Sequence, residues 1–345
     1  MHVLFDIGHP AHVHLFRHLA KGLLARGDSV KITIRDRGIT GQLLETYGLP
    51  YSVASRPRSS ILGMAIELLI HNWNVLRACL KQKPDYLIGT SVSAAHVGWL
   101  IRRKSVILNE DDADYVPLFA KLTYPFASYI VTPSTLRDLK TPKYRIHESY
   151  HELAYLHPDH FTPDSRVLKE LGVTPGEPFS ILRLVSLTAH HDVGQQGISY
   201  MQAERLVALL SRHGKVFVNG EKDLPESLQP YAFRAPPEAM HSLIAFAQIL
   251  VSDSQTMTIE AAVLGTPAFR CNSFVDQCSV ISEIEDVYQL AWGYKPEKFN
   301  TMCYEIDRLL ADSSHRATLK FRRERMLANK INLADWLLRQ LDNDF

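Results

Sequence analysis

Apolar residues recur along this chain in two rhythms. Short β-branched or aromatic runs alternate with stretches in which every third or fourth position is apolar. That alternation predicts βα units on parallel sheets. "HVLFDI" precedes the helical "HLFRHLAKGLLARG", closed by Gly27, and "SVKITIRD" precedes "TGQLLETYG", closed by Gly48. "PYSVAS" leads into a long helical pattern over 61–82, which Pro84 ends. Then come "DYLIGT" with a helix over 93–102, "SVILNED" with a helix near 115–123, and "ASYIVTPS". These six strands predict one doubly wound domain. From Lys140 to Pro178 the pattern loosens and prolines accumulate, which predicts a crossing between domains with a short helix near 165–171. The alternation restarts with "FSILRLVSL", helix 197–213, "KVFVNG", helix 238–247, "QILVSDS", helix 256–264 and "PAFRCN". From 301 the pattern is helical to the end. The expected layout is α/β: Rossmann-like domains over 1–160 and 161–300, then helices over 301–345 that pack back towards the first domain.

Composition narrows the function classes. A chain of 345 residues is long for one core, and 46% hydrophobic with 22% charged residues is globular. A formal charge of +1 argues against nucleic acid as a partner, since non-specific binding needs a basic excess. Cys79, Cys271, Cys278 and Cys303 show no C-x-x-C spacing, so reduced thiols in the cytoplasm are expected, with neither a zinc knuckle nor a disulfide framework. "MHVLFDIGHPAHVH" lacks the basic start of a signal peptide, and its apolar run stops at Asp6. The stretch "ILGMAIELLIHNWNVLRACL" (61–80) carries Glu67, His71, Asn72, Asn74 and Arg77, too polar to span a bilayer. It reads as an amphipathic helix whose apolar side packs on the core, or alternatively lies on lipid, a peripheral contact at the inner face of the membrane.

In open parallel sheets ligands sit where strands hand over to helices, and four such loops are chemically unusual. "DIGHPAHVHLF" brings His9, His12 and His14 to a turn that Gly8 permits. There His12 suits a base or a phosphate donor, whereas His14 is expected to pack. "LNEDDADY" offers Glu110, Asp111 and Asp112 as a general base or as hydroxyl ligands, with Asp112 also a fitting helix cap. "SLTAHHDVGQQG" combines Ser186, Thr188, Gly194 and Gly197 in a polar phosphate loop, into which His190, His191 and Asp192 project. Adjacent histidines are poor partners on one ion, so no metal is expected. "SDSQTMTIEAAVLGTP" sets Ser252, Ser254 and Thr256 at a helix start as phosphate donors. Glu260, a turn further on, is an acceptor suited to the vicinal hydroxyls of a ribose. No G-x-G-x-x-G element is present, so a dinucleotide cofactor is not indicated.

This last element resembles the "DSGG…EA…G.P" segment of GT-B glycosyltransferases and of the non-hydrolysing nucleotide-sugar 2-epimerases. "GHPAHVHLF" is similar to the glycine-rich loop of the lipid II-forming N-acetylglucosaminyltransferase, with His12 at its histidine but without the glycine run. "ILNEDDADY" is similar to that family's "HEQNA", with Glu110 at the glutamate and Asp112 replacing asparagine. "SYHELAYLHP" (149–158) and "HHD" further resemble an uncharacterised prokaryotic family of the same superfamily. The resemblance implies a GT-B fold, two Rossmann-like domains facing across a cleft. It implies a metal-independent transfer of sugar from a nucleotide diphosphate, uridine-linked by analogy, to an acceptor hydroxyl. Glu260 would take the ribose, while Thr188, His190, His191, Ser252, Ser254 and Thr256 would hold the pyrophosphate. His12 or Glu110, with Asp111 beside it, would deprotonate the acceptor on the first domain. A lipid-linked acceptor and a homodimer are both compatible with this. The epimerases carry an acid in a "GDT" element where this chain has "GTSVSA", with Thr90 in the acid's place, which favours transfer. Epimerisation or non-catalytic nucleotide-sugar binding are the alternatives.

Overall fold

A computed structural model describes residues 1–137, 139–185 and 196–345. The chain forms two compact units, Met1–His160 with Lys330–Phe345, and Phe161–Asn329.

The first unit is built on a seven-stranded parallel sheet. Its strands are β1 (His2–Ile7), β2 (Ser29–Arg35), β3 (Tyr51–Ser55), β4 (Tyr86–Gly89), β5 (Lys104–Leu108), β6 (Tyr129–Pro133) and β7 (Tyr144–His147), in the order 3-2-1-4-5-6-7. The helices between them are α1 (Pro10–Ala25), α2 (Thr40–Thr46), α3 (Ile61–Gln82), α4 (Val92–Leu100) and α5 (Pro117–Thr123). In β1, Val3, Leu4, Phe5 and Ile7 are all buried, as strands covered on both faces require. Order reverses between β1 and β4, and their carboxyl ends mark the switch point at which such sheets bind ligands. The two strands approach closely there: a Cβ on Gly89 would sit 2.6 Å from the Asp6 carbonyl oxygen.

Right-handed crossovers put α1 and α2 on one face of this sheet and α3, α4 and α5 on the other. The strand β7 lies inside the stretch expected to be a mere crossing. It is only four residues long and flanked by proline, so it carried no period to read, yet it pairs with β6 from Ile130 to Pro133. The helix α3 also departs from expectation. Its buried positions are Gly63, Glu67, His71, Val75 and Cys79, while Leu62, Leu69, Trp73 and Leu80 point outwards. Glu67 and His71 face in because the sheet supplies Arg35 and Asp6 as partners, while Val75, Cys79 and Leu76 pack on the core as expected, so only part of the apolar surface is covered.

The second unit carries a five-stranded parallel sheet of β8 (Phe179–Leu184), β9 (Lys215–Gly220), β10 (Ile249–Ser252), β11 (Ala268–Cys271) and β12 (Ala291–Tyr294), ordered 12-11-10-8-9. Its switch point lies between β8 and β10. Four of these strands are legible as apolar runs; "AWGY", short and interrupted by Gly293, is not. Its helices are α6 (Val167–Glu170), α7 (Tyr200–Leu210), α8 (Met240–Phe246), α9 (Gln255–Leu264), α10 (Ser279–Ser282), α11 (Phe299–Ala311) and α12 (His315–Asn329). Phe299, Met302 and Ile306 of α11 join the core that holds Val251 and Phe269.

The C-terminal helices, expected as one group, are divided between the units. The helices α11 and α12 stay with the second, and only the last helix, Leu333–Asp342, belongs to the first. It buries Leu333, Ala334, Leu337 and Leu341 and packs on α1 so closely that a Cβ on Gly22 would lie 2.9 Å from Leu338.

Candidate functional site

In the first unit the chemistry gathers at the carboxyl edge of the sheet. Pro10 stands at the first turn of α1 and the His9 ring accepts the Ala11 N–H, so α1 starts immediately after the turn. That start carries His12 beside β4, where its Nδ1 lies 2.6 Å from the Thr90 hydroxyl. Burial first, and then the positive fields of His9, His151 and Arg37, push the His12 imidazole well below its usual value. His12 is therefore neutral near pH 7, the form a general base requires. Among the described residues its Nε2 has no hydrogen-bond partner.

Glu110, just past β5, is half-buried and pairs with His151, whose Nδ1 lies 3.3 Å from Glu110 Oε1. The His151 backbone N–H also donates to Glu110 Oε2 at 3.3 Å. His151 opens a single 3-10 turn, His151–Ala154, and its Nε2 is buried without a hydrogen-bond partner among the described residues. The fold thus brings His12, His151 and Glu110 from three distant segments to one edge. Asp112 is not a helix cap: its carboxylate is 1% exposed and accepts the Arg137 N–H at 3.0 Å, and the residue at the start of α5 is Val116. Asp111 is half-buried, and its carbonyl accepts from Asn109 at 2.6 Å. His14 packs as expected, buried against Tyr47 and Tyr155.

Behind this edge lies a buried charge network. Asp6, fully covered at the end of β1, meets His71 Nε2 at 2.9 Å, Thr33 Oγ1 at 2.7 Å and the Ser91 hydroxyl. His71 Nδ1 lies 2.7 Å from Ser55, and Glu67 completes the network with Arg35. Burial alone would push His71 down, but the Asp6 carboxylate outweighs it and raises the imidazole. Burial likewise works to raise Asp6, and His71 with the two hydroxyls lowers it on balance. Ser91 caps α4, so Asp6 fixes the residue next to Thr90 and, through it, the orientation of His12.

In the second unit, Thr188, His190 and His191 lie outside the described residues. The loop after β10 is described, and each of its expected ligands can be placed. Ser252 is buried, and its hydroxyl accepts the Ser254 N–H at 2.9 Å, so it shapes the turn. Ser254 caps α9 by accepting the Met257 N–H, and both Ser254 and Thr256 are half-buried. Glu260 is 6% exposed, with Oε1 3.0 Å from His241 Nε2 of α8, a partner that the sequence did not announce. Gly265 ends α9 in the left-handed region at φ 90°.

The residue that sequence reasoning missed here is Asp253. Its carboxylate is 2% exposed, with Oδ1 accepting the Val185 N–H at 2.8 Å and Oδ2 the Ile198 N–H at 3.3 Å. It ties the end of β8 to the start of α9 at the switch point. Burial pushes it up to about 6. A carboxyl raised above its unfolded value of 3.8 favours folding below that value and loses the contribution as pH rises through 6. Relative to Asp253→Asn, the wild-type chain is therefore expected to lose roughly 3 kcal/mol of stability between about pH 3 and pH 7. Denaturant unfolding of the two across that window reads the slope, and parallel curves would refute it.

Among the described residues, no group of three His, Cys, Asp or Glu side chains is placed to hold a metal ion, and no helix is long and apolar enough to cross a membrane.

The model of a family described as "Protein of unknown function (DUF354)" matches residues 1–280. No curated protein matches the chain by sequence. Among solved structures, the spinosyn forosaminyltransferase SpnP is similar over 99% of this chain and 98% of its own, with a TM-score of 0.67 and 16% identity. The UDP-GlcNAc 2-epimerase from Neisseria meningitidis, bound to UDP-GlcNAc, is similar over all of both chains at TM-score 0.68 and 12% identity. The spinosyn rhamnosyltransferase SpnG, complexed with thymidine diphosphate, covers 99% of this chain and 100% of its own at TM-score 0.65 and 14% identity. These likenesses establish the fold as that of GT-B proteins, with two Rossmann-like domains.

Proposed function

The chain belongs to this family of unknown function, DUF354, and we propose that it is a glycosyltransferase moving a sugar from a nucleotide diphosphate to an acceptor hydroxyl. The observation that carries the reading is His12: a neutral imidazole at the switch point, fixed through Nδ1 by Thr90 and with Nε2 available. In the reaction, Nε2 takes the acceptor proton while the acceptor oxygen bonds to the anomeric carbon. The bond from that carbon to the diphosphate breaks, and the diphosphate leaves with the electron pair. Glu110 orients His151 beside His12, and Asp111 stands next to that pair.

On the second unit, the hydroxyls of Ser254 and Thr256 and the Thr256 amide at the start of α9 stabilise the departing charge, with no metal needed. Thr188, His190 and His191 add donors, and Ser252 contributes through the turn it shapes. Glu260 receives the ribose hydroxyls. The neighbours' thymidine and uridine diphosphates support a pyrimidine nucleotide as donor, and uridine is the first choice.

Thr90 carries the discrimination from epimerisation. A threonine hydroxyl held by His12 cannot exchange protons with a sugar carbon as a carboxylate would. Incubation with uridine and thymidine diphosphate sugars tests the proposal. Nucleoside diphosphate released only when an acceptor hydroxyl is supplied supports transfer. Isomerised donor without acceptor would replace it with epimerisation, and tight binding with neither would make the chain a sensor.

A further inference from the structure

The helix α3 packs Val75 and Cys79 on the core yet leaves a second apolar stripe uncovered. Its inward stripe is Gly63, Glu67, His71, Val75 and Cys79, and the two ionisable members are tied into the Asp6 network. Its outward stripe is Leu62, Ile66, Leu69, Trp73 and Leu80, spaced by four, three, four and seven residues, so the side chains share one face. Leu62 is 72% exposed, Leu69 69% and Trp73 61%. An isolated exposed leucine is ordinary, but an apolar stripe about 16 Å long from Leu62 to Trp73, with Leu80 beyond the exposed Arg77, is not.

The apolar surface continues beyond α3. The helix α4 packs between α3 and α5, and it exposes Trp99 and Leu100, while α5 exposes Leu118. At the end of α4 a cleft of about 660 Å³ is lined by Trp99, Phe126, Arg102, Arg103, Lys104 and Lys143. Lys104 pairs with Asp344, and Lys143 donates to the Tyr124 and Pro125 carbonyls. Arg102 and Arg103 are exposed and have no ion-pair partner among the described residues.

Charge selects the occupant. Across α3, α4 and α5 the only acid is Glu67, and it is buried. The exposed charges beside the apolar stripe are Arg77, Lys81 and Lys83, joined by Arg102 and Arg103 near the cleft. This one-signed face stands on a chain with nearly equal acids and bases, 37 against 38. A second copy docking through the same face would set these cations against their own images, which disfavours it. An anionic bilayer meets both demands: acyl chains take the leucines and tryptophans, and headgroup phosphates take the arginines.

We propose that α3, with the exposed ends of α4 and α5, docks this protein flat on an anionic phospholipid surface, with headgroup phosphate in the Arg102–Arg103 cleft. This stands whether or not the chain transfers sugars. If it does, the docking presents the carboxyl edge of the first sheet beside the bilayer, because Ile61 and Leu62 begin α3 at that edge, and a lipid-linked acceptor becomes the fitting class.

Sedimentation of the full chain with vesicles tests the proposal, comparing pure phosphatidylcholine with an equal mixture of phosphatidylcholine and phosphatidylglycerol. Binding is expected to the mixed vesicles, weakened by high salt. It should fall at least about tenfold in the double variant Leu69→Glu/Trp73→Glu and about tenfold in Arg102→Glu/Arg103→Glu. All four side chains are at the surface, so circular dichroism and nucleotide binding should be unchanged. Failure of the wild-type chain to sediment with the anionic vesicles at low salt would overturn the proposal. So would a wild-type dimer, seen by sedimentation velocity, that Trp73→Glu dissociates. Unaltered binding by the arginine variant would remove the headgroup site. Loss of turnover with a soluble acceptor bears only on the proposed transfer reaction.

Discussion

Replacing His12 with alanine is expected to lower kcat of sugar transfer by about 10²–10⁴-fold while leaving donor affinity nearly intact, the range a positioned base supplies. The ring is neutral because burial, then His9, His151 and Arg37, depress its proton affinity. Its pH profile carries the sign of that cause. A base with a depressed value stays unprotonated as pH falls through 6.5, so the acid limb of kcat/KM should lie well below the ordinary histidine range. Thr90→Val keeps the ring and removes the hydroxyl that holds Nδ1, so it should cost kcat less than His12→Ala does. Steady-state rates of diphosphate release across pH measure all three chains. An acid limb at or above 6.5, or an alanine variant within about threefold of wild type, would move the base to Glu110.

How much of this could be read without coordinates follows from what leaves a periodic trace. The apolar runs "HVLFDI", "SVKITIRD" and "QILVSDS" mark β1, β2 and β10 because strands covered on both faces must be continuously apolar. Four-residue strands such as "YRIH" and "AWGY" leave no such trace; register with a longer neighbour holds them in place. The apolar residues of α3 were legible as a stripe, but which side faced the sheet was not. That depends on Asp6 and Arg35, brought to Glu67 and His71 by the fold alone. Site residues divide in the same way. His12 and Glu110 stand in strand-to-helix loops, where chemistry is expected from sequence. His151 sits in a 3-10 turn that sequence marked only as part of "SYHELAYLHP", and its meeting with His12 is tertiary. Asp253 was visible between two serines, yet its two amide partners, at Val185 and Ile198, are far away in the chain.

Glu260→Ala is expected to weaken uridine diphosphate binding about a hundredfold, the loss of two hydrogen bonds to a charged acceptor. The contact with His241 makes this the sharper of the two experiments, because a buried pair offers a purely structural reason for the same carboxylate. Truncating one partner takes this contact from the other, a buried group, at a cost of about 1–3 kcal/mol in stability whatever the ligand does. The two roles separate when both partners are changed in turn. His241→Ala should lower the melting temperature by an amount similar to Glu260→Ala, since each breaks the same 3.0 Å contact. Only the loss of Glu260 should carry the affinity with it, as measured by calorimetry at a temperature where both variants are folded. A carboxylate held by an imidazole from α8 is oriented before ligand arrives, which lowers the entropic cost of taking two ribose hydroxyls at once. If Glu260→Ala and His241→Ala bind uridine diphosphate equally well, and as well as the wild-type chain, the pair is structural and the ribose is held elsewhere.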